Sequence, residues 1–379
     1  MDFSWFKSLF EKISISFHWS KKNSPTTNTK IGTNIEKQLI INQGISPEQF
    51  HQINESVLKI VDDRINIYRE TFKLDAKLVF NERLKDFKEF LLNRTHSLSE
   101  LDYERFKEPD MQLKIIEATN LSGRISDSNR RELLANLVIR RIKNENTKNQ
   151  ELTDIVYNEA ISTIDKLTLN QLKTIALCFL LHYTKHNNIT SLKEMDNYFN
   201  KYIGPFLDIK KSESEFQHIV YSGCGSISIG SWDIVNIFKA NYDYLLVKPF
   251  TNKELEVIGL DSDLQKLFFT QYEKTDNYLL NIIPYINIVS KAIFENIFFQ
   301  NINENIIKKI YQLVQSHLEN NADVKKIIET STILGKQIIE TVEKTKLQNL
   351  TLTSVGTAIA STYYEQITSD KINIALWIN

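Results

Sequence analysis

The stretch Asn129-Arg130-Arg131-Glu132-Leu133-Leu134-Ala135-Asn136-Leu137-Val138-Ile139-Arg140-Arg141-Ile142-Lys143 decides the fold class. Leu133, Leu134, Leu137, Val138 and Ile142 recur at the spacing that lines one side of a helix. Asn129 and Glu132 stand at the separation of a cap pair, so the spacing predicts a helix running to Lys143. Arg130, Arg131, Arg140, Arg141 and Lys143 fall largely off the apolar stripe and make a candidate basic patch. Charged faces are usually solvated or locally paired, and contact with phosphates or an acidic partner is the functional alternative.

The same helical grammar continues on both sides. A polar gap, Asn144–Gln150, leads to a helix over Glu151–Asp165. Thr168-Leu169-Asn170-Gln171 is a capping box, and the helix it starts is apolar on nearly every side through Leu172, Ile175, Leu177, Phe179, Leu180 and Leu181. A helix apolar all round is buried, which places this one at the centre of a domain. Upstream, Pro109 opens a helix that Gly123 closes, and Leu98–Phe106 is a short helix. Further back, Ser46-Pro47-Glu48-Gln49 reads as a strong helix start. Phe50, Ile53, Val57, Ile60, Ile67, Leu74 and Leu78 then follow a heptad seam, with Arg64 and Thr71 on the same seam. This long segment is expected to end near Asn93 and to support self-association.

The N-terminal residues suit an amphipathic arm. Phe3, Phe6, Phe10, Ile13 and Phe17 share a face with Trp5 close by, and a linker rich in Ser, Thr and Asn follows over Ser20–Asn34. The face Phe3, Trp5, Phe6, Phe10 and Phe17 is the candidate surface for a protein partner or for lipid. A short strand is expected at Ile35–Ile41. Downstream, Ser191–Glu194 starts a helix that Gly204-Pro205 stops. A helix at Glu213–Ser222 runs into Gly223-Cys224-Gly225 and an alternating strand, Ser226–Ile229. Helix, helix, helix and strand is the order of a winged helix. Thr251–Glu254 is a further capping box, and helices are expected near 262–273, 285–300, 303–320 and 323–346. Thr353 should cap Ser354–Ile367, and Ile372–Ile378 reads as a terminal strand.

The fold expected is therefore all-α and multi-helical, with degenerate winged-helix elements and small β-hairpins. Its expected divisions are an arm, linker and strand over 1–45, a long helix or helical hairpin over 46–125, a central winged-helix-like domain over 126–250 and a helical domain over 251–379. Only ten glycines and six prolines in 379 residues argue against an all-β chain with its many tight turns. A formal net charge of −1 removes bulk electrostatic steering onto nucleic acid. Two cysteines, Cys178 and Cys224, make neither a disulfide framework nor a four-ligand zinc site. Cys178 lies in an apolar run and reads as a buried hydrophobe, which suits reducing, cytoplasmic conditions.

The run Asn129–Leu137, followed by Asn158-Glu159-Ala160-Ile161 and Leu167-Thr168-Leu169-Asn170-Gln171-Leu172, resembles the Abi-alpha group of bacterial abortive-infection proteins. The whole chain is similar to an uncharacterised bacterial family with this core, over about residues 35–379. That family carries a loop like Gly223-Cys224-Gly225-Ser226-Ile227, a helix start like Leu352-Thr353-Ser354-Val355-Gly356 and a strand like Ile372–Trp377. The chain departs from it before the long helix, where a glycine-rich strand would stand and only Gly32 and Gly44 remain. The resemblance implies phage defence and hands over no catalytic residues.

No local motif demands chemistry. Gly223–Ser231 fits neither dinucleotide nor P-loop spacing, has no following Lys and lies outside any βαβ unit, so it reads as a turn and wing. His182 and His186 are four apart, but no Glu lies between them and no third ligand is near in sequence. His218 near Cys224 lacks an oxyanion motif. The helix Glu213–Ser222 carries Glu213 and Glu215 and no Lys or Arg, unlike a DNA-reading helix. No catalytic residue, metal site or cofactor is expected. The leading expectation is a non-enzymatic interaction or sensor component of phage defence, working as a homo-oligomer or with a protein partner. The alternatives are a membrane-directed effector using its N-terminal arm at the inner membrane, and a nucleic-acid-binding regulator.

Overall fold

The computed structural model describes residues 55, 59, 74–95, 97–143, 150–272, 275–282, 284–285, 304–374 and 377–378. The arm, the strand expected at Ile35–Ile41, most of the heptad seam and all but Tyr285 of the helix expected near 285–300 lie outside these residues. The described chain is dominated by helices, with a few short antiparallel strands, as the apolar periodicity requires. It forms two compact units, 1–169 with 354–379 and 170–353.

The first unit is helical. The helix Leu74–Thr95 packs on Ser128–Ile142 and on Pro109–Arg124. Ser128–Ile142 also packs on Gln150–Thr163, and the C-terminal helix Ser354–Thr368 packs on both of these. Ser128–Ile142 is thus surrounded, and its Leu133, Leu134, Ala135, Leu137 and Val138 are buried. Its cap is Asp127, whose carboxylate accepts from the Arg130 amide at 2.9 Å, and not the Asn129 that its spacing with Glu132 suggested. Pro109 does occupy the first turn of its helix. Ser99 and Asp102 form a capping box at the start of the short helix Glu100–Arg105.

In the second unit, the helix Leu169–Cys178 passes into a π-helical turn, Phe179–Tyr183. Its Leu172, Ile175, Ala176, Leu177, Cys178 and Phe179 are all buried, as an all-round apolar helix should be. A second π-turn, Phe199–Ile203, extends Leu192–Tyr198. The strand Gly225–Ile227 pairs antiparallel with Leu350–Leu352 and not with a neighbouring strand, so no wing hairpin forms at this place. Gly223 supplies the turn before it with a left-handed φ of +79°, which disfavours any residue with a Cβ. Phe250–Thr251, Asn277–Leu280 and Phe269–Gln271 make a small antiparallel sheet with the second of these in the middle. The Thr251–Glu254 capping box opens the helix Asn252–Ile258 beside it.

Three further expectations are corrected. The helix expected near 262–273 ends at Phe268, because Phe269–Gln271 pairs with Asn277–Leu280 and keeps Phe268 and Phe269 both buried. The helix expected over 323–346 is two, Asn321–Ser331 and Gly335–Glu343, broken where Thr332 turns to extended φ and ψ of −132° and 145°. The terminal strand expected at Ile372–Ile378 is a tight turn in its described residues. The Trp377 and Ile378 amides donate to the Ile374 carbonyl, and Ile374 and Ile378, four apart, are both buried.

Candidate functional site

The predicted basic patch is drawn into the interior of the first unit. Arg141 is 1% exposed, and its guanidinium donates to Asp110 at 2.5 Å and Asn158 at 3.1 Å, with Asp154 at 3.2 Å. Arg105 binds the same Asp154 and the Lys143 carbonyl. Arg131 reaches Asp86 at 2.5 Å and the carbonyls of Ile125 and Ser126. Arg130 donates to the carbonyls of Ile164 and Asp165, and burial lowers its pKa against the pull of Asp127 and Asp165. These four arginines are framework: each desolvated charge is offset by carboxylates or carbonyls, the condition for burying it at all. Burial works to raise the Asp110 carboxyl, yet the Arg141 charge and the hydrogen bonds from Arg141, Asn158 and the Met111 amide hold it below its ordinary value.

Arg140 differs, because its far side opens on a polar cleft of about 650 Å³ in the first unit. The helix Ser128–Ile142 forms one wall and the segment from Thr362 to Asn373 the other. Arg140 is ion-paired with Glu365 and donates to the Ile372 carbonyl at 3.3 Å and to the Tyr157 hydroxyl at 3.4 Å. Two turns back along the helix, Glu132 is ion-paired with Arg94 and accepts from Gln366 at 3.3 Å. Gln366 accepts in turn from Asn136 at 3.1 Å and donates to the Asn129 carbonyl at 3.0 Å. Lys143 is half-buried and Lys371 exposed on the same cleft. Neither lysine has an ion-pair partner among the described residues. Four cationic side chains, Arg94, Arg140, Lys143 and Lys371, therefore face two carboxylates, Glu132 and Glu365.

Of the five residues of the predicted patch, only Arg140 and Lys143 line this cleft. Arg94, Glu365, Gln366 and Lys371 were not singled out in the sequence, and Glu132 was read only as a cap partner of Asn129. Gln366 carries no signal of its own, and Glu365 is 225 residues from the arginine it pairs with. The face Phe3, Trp5, Phe6, Phe10 and Phe17 lies outside the described residues.

In the second unit, His182 and His186 go to different aromatic surroundings. The His182 ring packs at a tilt against Trp232 and Tyr183, and the His186 ring against Tyr198 and Tyr202. Burial lowers the His182 pKa and so favours the neutral ring at pH 7. Among the described residues, no three His, Cys, Asp or Glu side chains are grouped to hold a metal ion. His218 sits beside the Gln171 amide oxygen at 3.3 Å, and Cys224 is buried. Burial also pushes the Cys178 thiol far above its ordinary range. Neither cysteine of the folded protein should react with a thiol-specific disulfide reagent, and both should react after denaturation. A fast-reacting thiol in the native state, counted by absorbance, would contradict this packing.

No described helix is long and apolar enough to cross a membrane. The class these features define is a mainly α-helical protein with a polar cleft in its first unit. A protein-family model matches residues 44–378, and the chain belongs to that family, whose function is unknown. No curated protein and no solved structure matches the chain.

Proposed function

We propose that the protein is a non-enzymatic sensor component of bacterial phage defence, of the abortive-infection kind. The observation that supports a sensing role is the cleft beside Arg140. Its charged groups hold one another in place, Arg94 with Glu132 and Arg140 with Glu365, while Lys143 and Lys371 at its edge have no ion-pair partner among the described residues. A preformed polar cavity of this size suits recognition of a small ligand. Ligand binding there would couple Ser128–Ile142 to the C-terminal helix, since both supply its walls. The defence context rests on the resemblance of Asn129–Leu137, Asn158–Ile161 and Leu167–Leu172 to the Abi-alpha group. Self-association through the seam from Phe50 to Leu78, or a protein partner, would carry the signal onward.

A phage challenge tests this reading, with the gene present, deleted, and truncated before Ser46. Plaquing on cells carrying the full gene should fall well below plaquing on the deletion strain. Equal plaquing on the two strains, across a panel of unrelated phages, would overturn the proposal. If the truncated gene alone loses protection, the aromatic arm takes part in the output. Flotation with anionic liposomes then separates lipid from protein as its target.

A further inference from the structure

We infer that the cleft in the first unit binds a phosphorylated sugar, with the phosphate at its Lys143–Lys371 end and the sugar hydroxyls toward Glu132. The inference rests on the sensor reading above and specifies the ligand class of that same site. Lys143 is one helical turn beyond Arg140, so the two side chains share a face. The Arg140 guanidinium donates to the Ile372 carbonyl, which brings the neighbouring Lys371 to the same end. Three cationic side chains thus line this end of the cleft, and among the described residues the carboxylate with them is Glu365, paired with Arg140. Arg140 is occupied by Glu365, Ile372 and Tyr157 and contributes its field, whereas the two ammonium groups have donors to spare. An ammonium pair beside a fixed guanidinium is matched by a compact dianion such as a phosphate ester.

The rest of the cleft limits what hangs on that phosphate. Glu132 lies eight residues before Arg140, about 12 Å along the helix, the scale of a small sugar phosphate and not of a polymer. Toward that end Glu132 and the Asn136 side-chain amide oxygen offer acceptors, which a ligand rich in hydroxyl donors can fill. Acceptors crowded there disfavour a second phosphate. Among the described residues no aromatic side chain lines the cleft, so a nucleobase finds no ring there to stack on. The apolar lining is Ile139 and Ile372, enough to cover the carbon face of one sugar ring.

Calorimetry and thermal melting of the full chain test this with ribose 5-phosphate, glucose 6-phosphate, ribose, inorganic phosphate and AMP. At ten times its Kd, a bound sugar phosphate should raise Tm by about 3 °C. The better sugar phosphate should bind at least about tenfold more tightly than inorganic phosphate, and ribose should not bind measurably. The double substitution Lys143→Gln and Lys371→Gln should lower that affinity by about tenfold or more while leaving the unliganded melting curve intact. The single exposed substitution Lys371→Glu is the check if the double variant is unstable. Several results would overturn the inference: no binding at millimolar concentration, equal affinity for inorganic phosphate, preference for AMP, binding only to vesicles containing phosphatidic acid, or affinity indifferent to the lysines. Binding without protection against phage would overturn the defence reading alone, and protection without binding would overturn the ligand alone.

Discussion

The substitution Arg141→Ala is expected to destabilise the protein by about 2–4 kcal/mol, from the void the buried side chain leaves and the loss of its ion pairs. Arg141 is 1% exposed, and Glu108, Asp110 and Asp154 surround it. Arg105 also serves Glu108 and Asp154, so the cluster holds two arginines against three carboxylates. Removing one arginine leaves three carboxylates on one cation and opens a void where the side chain lay. Arg141→Lys should fall between the wild type and Arg141→Ala, because an ammonium keeps the charge but loses the planar set of donors. The pH dependence has a definite sign. Asp110 is held below its ordinary value, so its contribution is present above the unfolded carboxylate pKa and fades as pH falls through the lowered folded one. Arg141→Ala should therefore flatten the loss of stability on acidification. Urea unfolding from pH 7 to pH 3 measures both effects. A change under 1 kcal/mol at pH 7 would show that the cluster is not the framework described here.

Gly335→Ala is the second large effect. An added Cβ would stand 2.4 Å from the Ile328 carbonyl oxygen and 2.3 Å from the Thr332 hydroxyl. Thr332 could rotate only by giving up its own bond to that carbonyl at 2.6 Å. Ile328 cannot yield, since its side chain is buried and its carbonyl belongs to the last turn of Asn321–Ser331. Overpacking against backbone costs about 1–3 kcal/mol, and the tightness here points to the upper end. That corresponds to a fall in Tm of roughly 6–12 °C for a unit of this size. Gly230→Ala is the control, since its Cβ would meet nothing within 4 Å. Equal melting curves for the two variants would contradict the close approach.

The helices were readable because each carries its own signal. The stripe Leu133, Leu134, Leu137, Val138 and Ile142 predicts Ser128–Ile142 without reference to any other element, and its end at Ile142 is within one residue of the expected Lys143. The role of the arginines on that helix was not readable in the same way. Periodicity tells which side is apolar, but not that a neighbouring element covers the other side with carboxylates. Asp86, Asp110, Asp154 and Glu365 come from four different helices or caps, the last of them 225 residues away. Long separation in sequence also hid the pairing of Gly225–Ile227 with Leu350–Leu352. Glycines and alternation mark a strand but not its partner, and a nearby hairpin is the cheaper guess. The break between Asn321–Ser331 and Gly335–Glu343 left a single sign, Gly335. Its meaning depends on the Ile328 carbonyl that its backbone approaches.

The cleft beside Arg140 is the claim on which the functional account stands. The most direct measurement is phage protection by the gene carrying both Lys143→Gln and Lys371→Gln, compared at equal protein level with the unaltered gene. These substitutions remove the cleft's two lysines, unpaired among the described residues, and leave the ion pairs Arg94–Glu132 and Arg140–Glu365 in place. The expected result is a stable, folded protein whose protection falls to that of the deletion strain. Full protection from the folded double variant would contradict the account.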